Sequence, residues 1–244
     1  MRHKTKDKVD LGVAKTLPDL LTHQIRCCLP LSEHLPFDLI AVMPDFATLR
    51  RVQVKYRAAT GGVVSVPFRS NYYDSKRIYS KHVNFDEIDC YGIYCPDTGE
   101  TYYLRIDEVS ASAVEVHLRL NAPRNGQIKG IRLAASYRNP ERIGEGFTVM
   151  EAVRREVSSL DEIAISHAVA HLMSSEIQPC LATSQYLPFD LIGVPPDMKT
   201  LRRIRVGYNT VQPNPYVDDY LIYLPEQNTV VSYEAAQLPP EYIR

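Results

Sequence analysis

The sequence has almost no net charge: 28 Lys and Arg against 29 Asp and Glu, a balance of -1 over 244 residues. Bulk charge therefore offers no argument for a nucleic-acid partner. No CxxC pair occurs, and none of the five cysteines (27, 28, 90, 95 and 180) stands at zinc-finger spacing from a histidine. That excludes the common structural zinc modules. No apolar run approaches 18 residues, so no membrane-spanning helix is expected. The start is not read as a signal peptide, and the cysteine count is odd. Together these point to a reducing interior, and a cytoplasmic location is the expectation. The basic start, MRHKTKDK, reads as a frayed end that can also touch DNA phosphates.

Charge is present but divided. Residues 1–146 carry 21 basic and 17 acidic side chains, and residues 147–244 carry 7 and 12. A mildly basic module joined to an acidic one is compatible with a nucleic-acid face on the first, though many non-binding domains are as asymmetric. The length allows one large domain or two modest ones.

A repeat tips the balance toward two. Residues 35–56 read LPFDLIAVMPDFATLRRVQVKY and residues 187–208 read LPFDLIGVPPDMKTLRRIRVGY. The offset is 152 throughout, and 15 of 22 positions are identical, which marks an internal duplication. Leu20, Ile25, Cys28 and Leu29 recur as Leu172, Ile177, Cys180 and Leu181, so the duplication includes the preceding segment. The differences are informative. Asp38 is matched by Asp190, but Gln53 and Lys55 are matched by Arg205 and Gly207.

Periodicity predicts a helix over 9–28, with Pro18 as an objection to its continuity. Short strands follow over 37–43 and 49–56, joined through a Pro44-Asp45 turn. In the second, Val52 and Val54 point one way and Arg51, Gln53 and Lys55 the other. A strand over 63–68, a strand pair over 88–94 and 101–106, and an alternating strand over 114–120 are expected. Residues 70–84 read as a polar, basic, tyrosine-rich stretch. Residues 121–130 read as a donor-rich loop, and 131–137 as a short helix or strand. Asn139–Gly146 is the expected linker. Beyond it lie two helices over 147–178, broken near Ser158-Ser159, with Ser159 and Glu162 as capping box. His167 and His171 stand four apart there, but no third ligand accompanies them. A hairpin around PEQN closes the chain.

The chemistry gathers at Asp38, Gln53 and Lys55. A carboxylate between apolar strand residues must be exposed, paired or bound to a metal. If the strands over 37–43 and 49–56 are partners, Asp38 falls near Gln53 or Lys55. A carboxylate, an amide oxygen and an ammonium in one volume suit phosphodiester hydrolysis. Asp38 and Gln53 offer oxygen to Mg²⁺, with Mn²⁺ as the alternative ion. Lys55 is placed to position water or stabilise the transition state. An exposed strand face with an Asp–Lys pair is the plainer account of the same three residues.

The pieces FDLI and RVQVKYR, at this spacing, resemble the PD-(D/E)xK nuclease superfamily. They are most similar to the branch of group I intron-associated homing endonucleases and their cyanobacterial relatives. IDCYGIYCPDTGETYYLRIDEV and LRLNAPRNGQIKGIRLAASY resemble that branch's later strand pair and its donor-rich C-terminal element. The resemblance spans roughly residues 8–138. It implies an α/β fold, a restriction-endonuclease-like mixed sheet flanked by helices over 1–146; the repeat adds a degenerate, shortened second copy over 147–244. It implies Mg²⁺-dependent DNA cleavage, usually by paired subunits, so a second copy of the chain is an expected partner. On the matched positions Asp38 is the metal aspartate, Gln53 the variant ligand and Lys55 the catalytic lysine. One position departs. The family carries a glutamate just after a glycine on its first helix. Here Gly12 is followed by Val13, and Asp10, one turn earlier, is the substitute ligand.

Expected DNA contacts are Arg57, Arg69, Lys76, Arg77 and Lys81, with Arg124, Asn125, Gln127, Lys129 and Arg132. Two other functions remain open at this point: a DNA-binding protein without catalysis, and a structural or interaction module that inherited the fold.

Overall fold

The computed structural model describes residues 4–74, 77–123, 129–144 and 158–244. In chain order the elements are α1 (Lys4–Thr22), β1 (Arg26–Pro30), β2 (Leu39–Val42), β3 (Leu49–Tyr56), β4 (Val63–Pro67), β5 (Arg69–Asp74), β6 (Arg77–His82), β7 (Cys90–Cys95), β8 (Glu100–Arg105) and β9 (Glu115–Arg119). Then come α2 (Ser159–Ser174), β10 (Gln178–Ala182), β11 (Leu191–Val194), β12 (Arg202–Tyr208), β13 (Asp219–Leu224) and β14 (Thr229–Glu234). The fold is mixed α/β, and it divides into two compact units. The first comprises Met1–Gln24, Pro36–Asp38 and Arg50–Gly146; the second comprises Ile25–Leu35, Leu39–Leu49 and Phe147–Arg244.

In the first unit β3 runs parallel to β7, with Val52 opposite Cys90 and Tyr56 opposite Tyr94. β8 returns antiparallel to β7. The alternation in β3 decides what covers each face. Val52 and Val54 are buried, and α1 lies on their side. Gly12 permits the close approach: a Cβ there would stand 3.1 Å from Val54 Cγ1. Gly92 meets the same helix, with Thr16 Cγ2 3.3 Å from its would-be Cβ. Thr16 is wholly buried and donates to the Gly12 carbonyl at 2.9 Å. On the other face Phe68, which follows β4, stacks on Tyr91 at 5.5 Å. β4 and β9 form their own antiparallel pair, and β5 and β6 form a hairpin.

In the second unit the strand order is β14-β13-β12-β11-β10-β1-β2, and only the β12–β13 step is parallel. α2 covers β12 and β13. Its Ala164, Ala168 and Leu172 pack on Leu191, Ile204, Val206, Leu221 and Tyr223. Small residues along its buried stripe let the helix lie close to the sheet. β1 and β10 meet with Leu29 opposite Leu181.

Several devices occur twice. Gln24 and Glu176, 152 positions apart, both take a left-handed conformation, at φ 60° and 61°. Phe46 and Met198, at the same offset, have φ 56° and 55°. Arg51 locks β3 to the start of β7: its Nη2 meets Asp89 Oδ1 at 2.8 Å and its backbone N–H donates to Oδ2 at 2.7 Å. Arg203 holds Asp218 in the same way, at 2.8 Å for both contacts. The repeated Leu-Arg-Arg thus places its second arginine as a brace between parallel strands. Truncating Asp89 to alanine leaves Arg51, 11% exposed at its side chain, with its bidentate partner removed. The expected cost is about 2 kcal/mol, read by urea unfolding. A change below a few tenths would deny the brace its role.

Two expectations are corrected, the end of the first helix and the cap of α2. The helix predicted over 9–28 ends at Thr22, and Arg26–Pro30 is strand β1. Pro18 lies inside α1 without ending it. The basic stretch 70–84, for which no element was expected, contains the β5–β6 pair, and residues 139–144 of the expected linker form a packed turn. There Arg50 Nε donates to the Ile143 carbonyl at 2.8 Å and Ile143 is buried. The cap of α2 is Ser158 with Asp161, one residue earlier than Ser159 with Glu162. Residues 131–137 resolve as a 3₁₀ turn over Ala134–Tyr137. Among the described residues no helix is long and apolar enough to cross a membrane.

Candidate active site

Asp38 stands just before β2, and two backbone bonds fix it against β3. Its N–H donates to the Val52 carbonyl at 2.9 Å, and its Oδ2 accepts from the Val54 N–H at 2.6 Å. Val54 presents its side chain to α1, while its backbone N–H, in the plane of the sheet, holds the carboxylate. Gln53 and Lys55 flank Val54 and point to the opposite face. Of the residues singled out in the sequence, Asp38 and Lys55 feel each other's charge, and Gln53 shares the strand face of Lys55. Asp38 Oδ1 accepts no hydrogen bond among the described residues.

The site is poorly solvated, and its charges register this. Burial pushes the Asp38 carboxyl up; the Val54 N–H and the Lys55 ammonium oppose the rise, and Asp10 adds to it. Burial pushes Lys55 down, Asp38 opposes, and Arg57 adds to the fall. Asp10 thus stands near enough to be felt by Asp38, from an exposed position on α1. Val13, in the place of the expected glutamate, is half-buried and offers no ligand.

A carboxyl whose folded pKa is raised favours the fold when protonated. That contribution is full at acid pH and is lost as pH rises through the folded pKa. At neutral pH the ionised Asp38 is a cost. Asp38→Asn keeps an oxygen for the Val54 N–H and removes the charge. Its melting temperature without divalent ions is expected to exceed wild type by a few degrees at pH 7, with the gap closing as pH falls. Equal melting temperatures at pH 7 would refute the strained carboxylate.

Three polar atoms here are buried without a partner among the described residues: Gln53 Oε1, Arg57 Nε and the Tyr91 hydroxyl. Tyr91 on β7 lies in register with Gln53, and its ring sits 5.7 Å from Lys55 Nζ. Burial pushes its phenol well up, so it stays protonated and is available as a donor. Buried orphans are rare and costly, and they cluster where a ligand completes them. The face therefore offers one unfilled acceptor (Gln53), one open carboxylate oxygen (Asp38) and two unfilled donors (Arg57 and Tyr91). Acceptors suit a hard cation, and donors suit the oxygens of an anion. This donor set fits a divalent cation, though thinly. Among the described residues no group of three or more His, Cys, Asp and Glu is placed to hold a metal. Tyr91 escaped the sequence reading because CYGIYC looks like plain core strand; only the register against Gln53 reveals it.

The corresponding place in the second unit is built differently. Asp190 is only 6% exposed; its N–H donates to Ile204 O and its Oδ2 accepts from Val206 N–H, both at 2.9 Å. The frame is that of Asp38. Arg205, in the position of Gln53, puts Nε 3.7 Å from Asp190 Oδ2. Gly207, in the position of Lys55, has no room for any side chain: a Cβ would lie 2.3 Å from the Thr210 carbonyl oxygen.

The expected DNA contacts fare unevenly. Arg69 is exposed at the start of β5, and Lys129 is exposed in a turn. Arg77 and Lys81 belong to β6. Arg132 is committed internally, donating to the Tyr137 hydroxyl at 3.2 Å and the Glu108 carbonyl at 2.8 Å. Lys76, Arg124, Asn125 and Gln127 lie outside the described residues.

Comparison with known proteins follows the same first stretch. The sequence profile of the PD-(D/E)XK endonuclease family matches residues 3–140. No curated protein matches by sequence. Among solved structures, the bacterial homing endonuclease I-Ssp6803I is similar at 21% identity and a TM-score of 0.48, over 58% of this chain and 93% of its own.

Proposed function

The chain belongs to the PD-(D/E)XK endonuclease family, and from that premise we propose that it hydrolyses DNA phosphodiester bonds with Mg²⁺ or Mn²⁺ at the Asp38 face. The observation that carries this reading is the buried, unpartnered Gln53 Oε1 on the strand whose next residue, Val54, holds the Asp38 carboxylate through its N–H. Those two residues would hold the cation, with Asp10 at longer range. A divalent ion bound there supplies a more acidic water and offsets the negative charge that grows on phosphate. Lys55, with its depressed pKa, holds or yields a proton near the attacking water and stabilises charge on the phosphate. The orphaned Tyr91 hydroxyl and Arg57 Nε–H orient the phosphate by its oxygens. Arg69 and the β5–β6 hairpin, whose sequence also carries Arg77 and Lys81, supply phosphate contacts along the duplex.

We read residues 1–146 as the nuclease-like module and 147–244 as its degenerate, shortened copy. The 152-residue offset, the paired left-handed residues and the twin Arg–Asp braces support this. Residues 57–89, between β3 and β7, include β4, β5 and β6, whereas only 209–218 separate β12 from β13. The copy retains the frame and lacks the insertions.

Calorimetric titration tests the metal. Mg²⁺ or Mn²⁺ is expected to bind wild type more tightly as pH rises, because the ion displaces the proton that burial favours on Asp38. Asp38→Asn is expected to abolish the binding. Cleavage of plasmid DNA is expected with either ion and not in excess EDTA; cleavage that survives chelation would exclude the proposed role. One observation favours a second reading, a DNA-binding protein without catalysis: Val13 removes the first-helix acid. Salt-dependent DNA binding with no measurable divalent-ion affinity would select that reading.

A further inference from the structure

We propose that the chain works alone and cuts one strand of duplex DNA per encounter, leaving a nick. This rests on the nuclease reading above, and three independent features carry it beyond that reading.

The first is the β1–β10 contact. Leu29 faces Leu181, which is the same position 152 residues later. The Leu31 N–H donates to the Pro179 carbonyl at 3.2 Å, and the Thr183 N–H donates to the Cys27 carbonyl at 3.0 Å. Residue 183 is the counterpart of 31, and 179 is the counterpart of 27. Each bond is the image of the other. This is the self-complementary pattern of a two-fold dimer, made within one chain. The strand edge that two identical subunits would use is already occupied.

The second is that the copy's counterpart of the Asp38 place is blocked. Asp190 is satisfied by Val206 N–H and faced by the Arg205 guanidinium. A fixed cation there repels a divalent ion. Gly207 cannot be elaborated, since backbone fills the space of a Cβ. The third is the short 209–218 connection, which leaves the copy without the hairpin that supplies basic residues in the first module. A two-fold arrangement brings two catalytic sets to the two antiparallel strands of a duplex. Here one set is chemically empty.

The single event is an ordinary hydrolysis. A water oxygen bonds to phosphorus, one P–O ester bond breaks, and the leaving oxygen takes a proton. The products are one phosphate monoester and one hydroxyl on one strand, with the other strand intact.

Supercoiled plasmid with Mg²⁺ or Mn²⁺ reads the outcome directly. Open circles are expected to accumulate as the first product, with linear molecules appearing only later from independent nicks. The nicking rate is expected to rise in proportion to protein concentration, and light scattering should give the mass of one chain. Linear DNA as the first product, a rate rising with the square of concentration, or a two-chain mass would overturn the inference and leave the nuclease reading standing. No cutting in either ion would defeat the nuclease reading itself, and this inference with it. Lys55→Ala, assayed alongside, distinguishes nicks made at this site from a contaminating activity.

Discussion

Lys55→Ala is expected to lower DNA cleavage by at least about 10²–10³-fold, the size of effect that follows removal of one positioned charge-stabilising group. Lys55 is the only ammonium that Asp38 is shown to feel, and the only one over the Tyr91 ring among the described residues. Its loss removes both proton transfer and positive charge at the phosphate. The fold should tolerate the change. A lysine whose folded pKa is depressed burdens the fold while it is charged, and that burden eases only as pH rises through the folded pKa. At neutral pH the alanine variant sheds it, so the melting temperature is expected to stay within a few degrees of wild type. Lys55→Arg should not restore the rate, because a guanidinium neither gives up a proton nor fits the same volume. Wild-type cleavage by the alanine variant would remove Lys55 from the chemistry.

Gly207→Ala is expected to cost about 3 kcal/mol, at the upper end for overpacking, because the added methyl meets a backbone carbonyl. The overlap, 2.3 Å to the Thr210 oxygen, cannot be relieved by a rotamer change. Gly193→Ala is the natural comparison. Its Cβ would lie 2.9 Å from Ile204 Cδ1, the movable end of a side chain, and the cost should be clearly smaller. Urea unfolding of the two variants decides the matter. A mild Gly207→Ala would mean that the 209–211 backbone yields easily, and that the lysine of a second site was lost without structural consequence.

Much of the candidate site was legible because its logic is local. Alternation in LRRVQVKY places Gln53 and Lys55 on one face, and the short turn after Val42 returns Asp38 to the neighbourhood of Val54. The helix end was not legible, for a physical reason. Chains commonly leave a helix through a left-handed glycine, and here Gln24 takes that conformation. With no glycine as signal, Ile25 and Cys28 simply continued the helical period. The β5–β6 hairpin was missed because RSNYYD and RIYSKH lack an apolar–polar alternation that would separate two faces. Tyr91 and the closure over Gly207 depend on register and on chain path. Both involve residues that meet only once the sheet is assembled.

The Leu29–Leu181 pairing has a thermodynamic consequence. When two separate subunits share such an edge, their association depends on how many copies the solution holds, and dilution undoes it. Tethering replaces that dependence with an effective local concentration, in the millimolar range for short flexible connections. The paired strands should then persist at any dilution. Each half is also released from having to match itself, so a change on one side of the pairing is no longer imposed on the other.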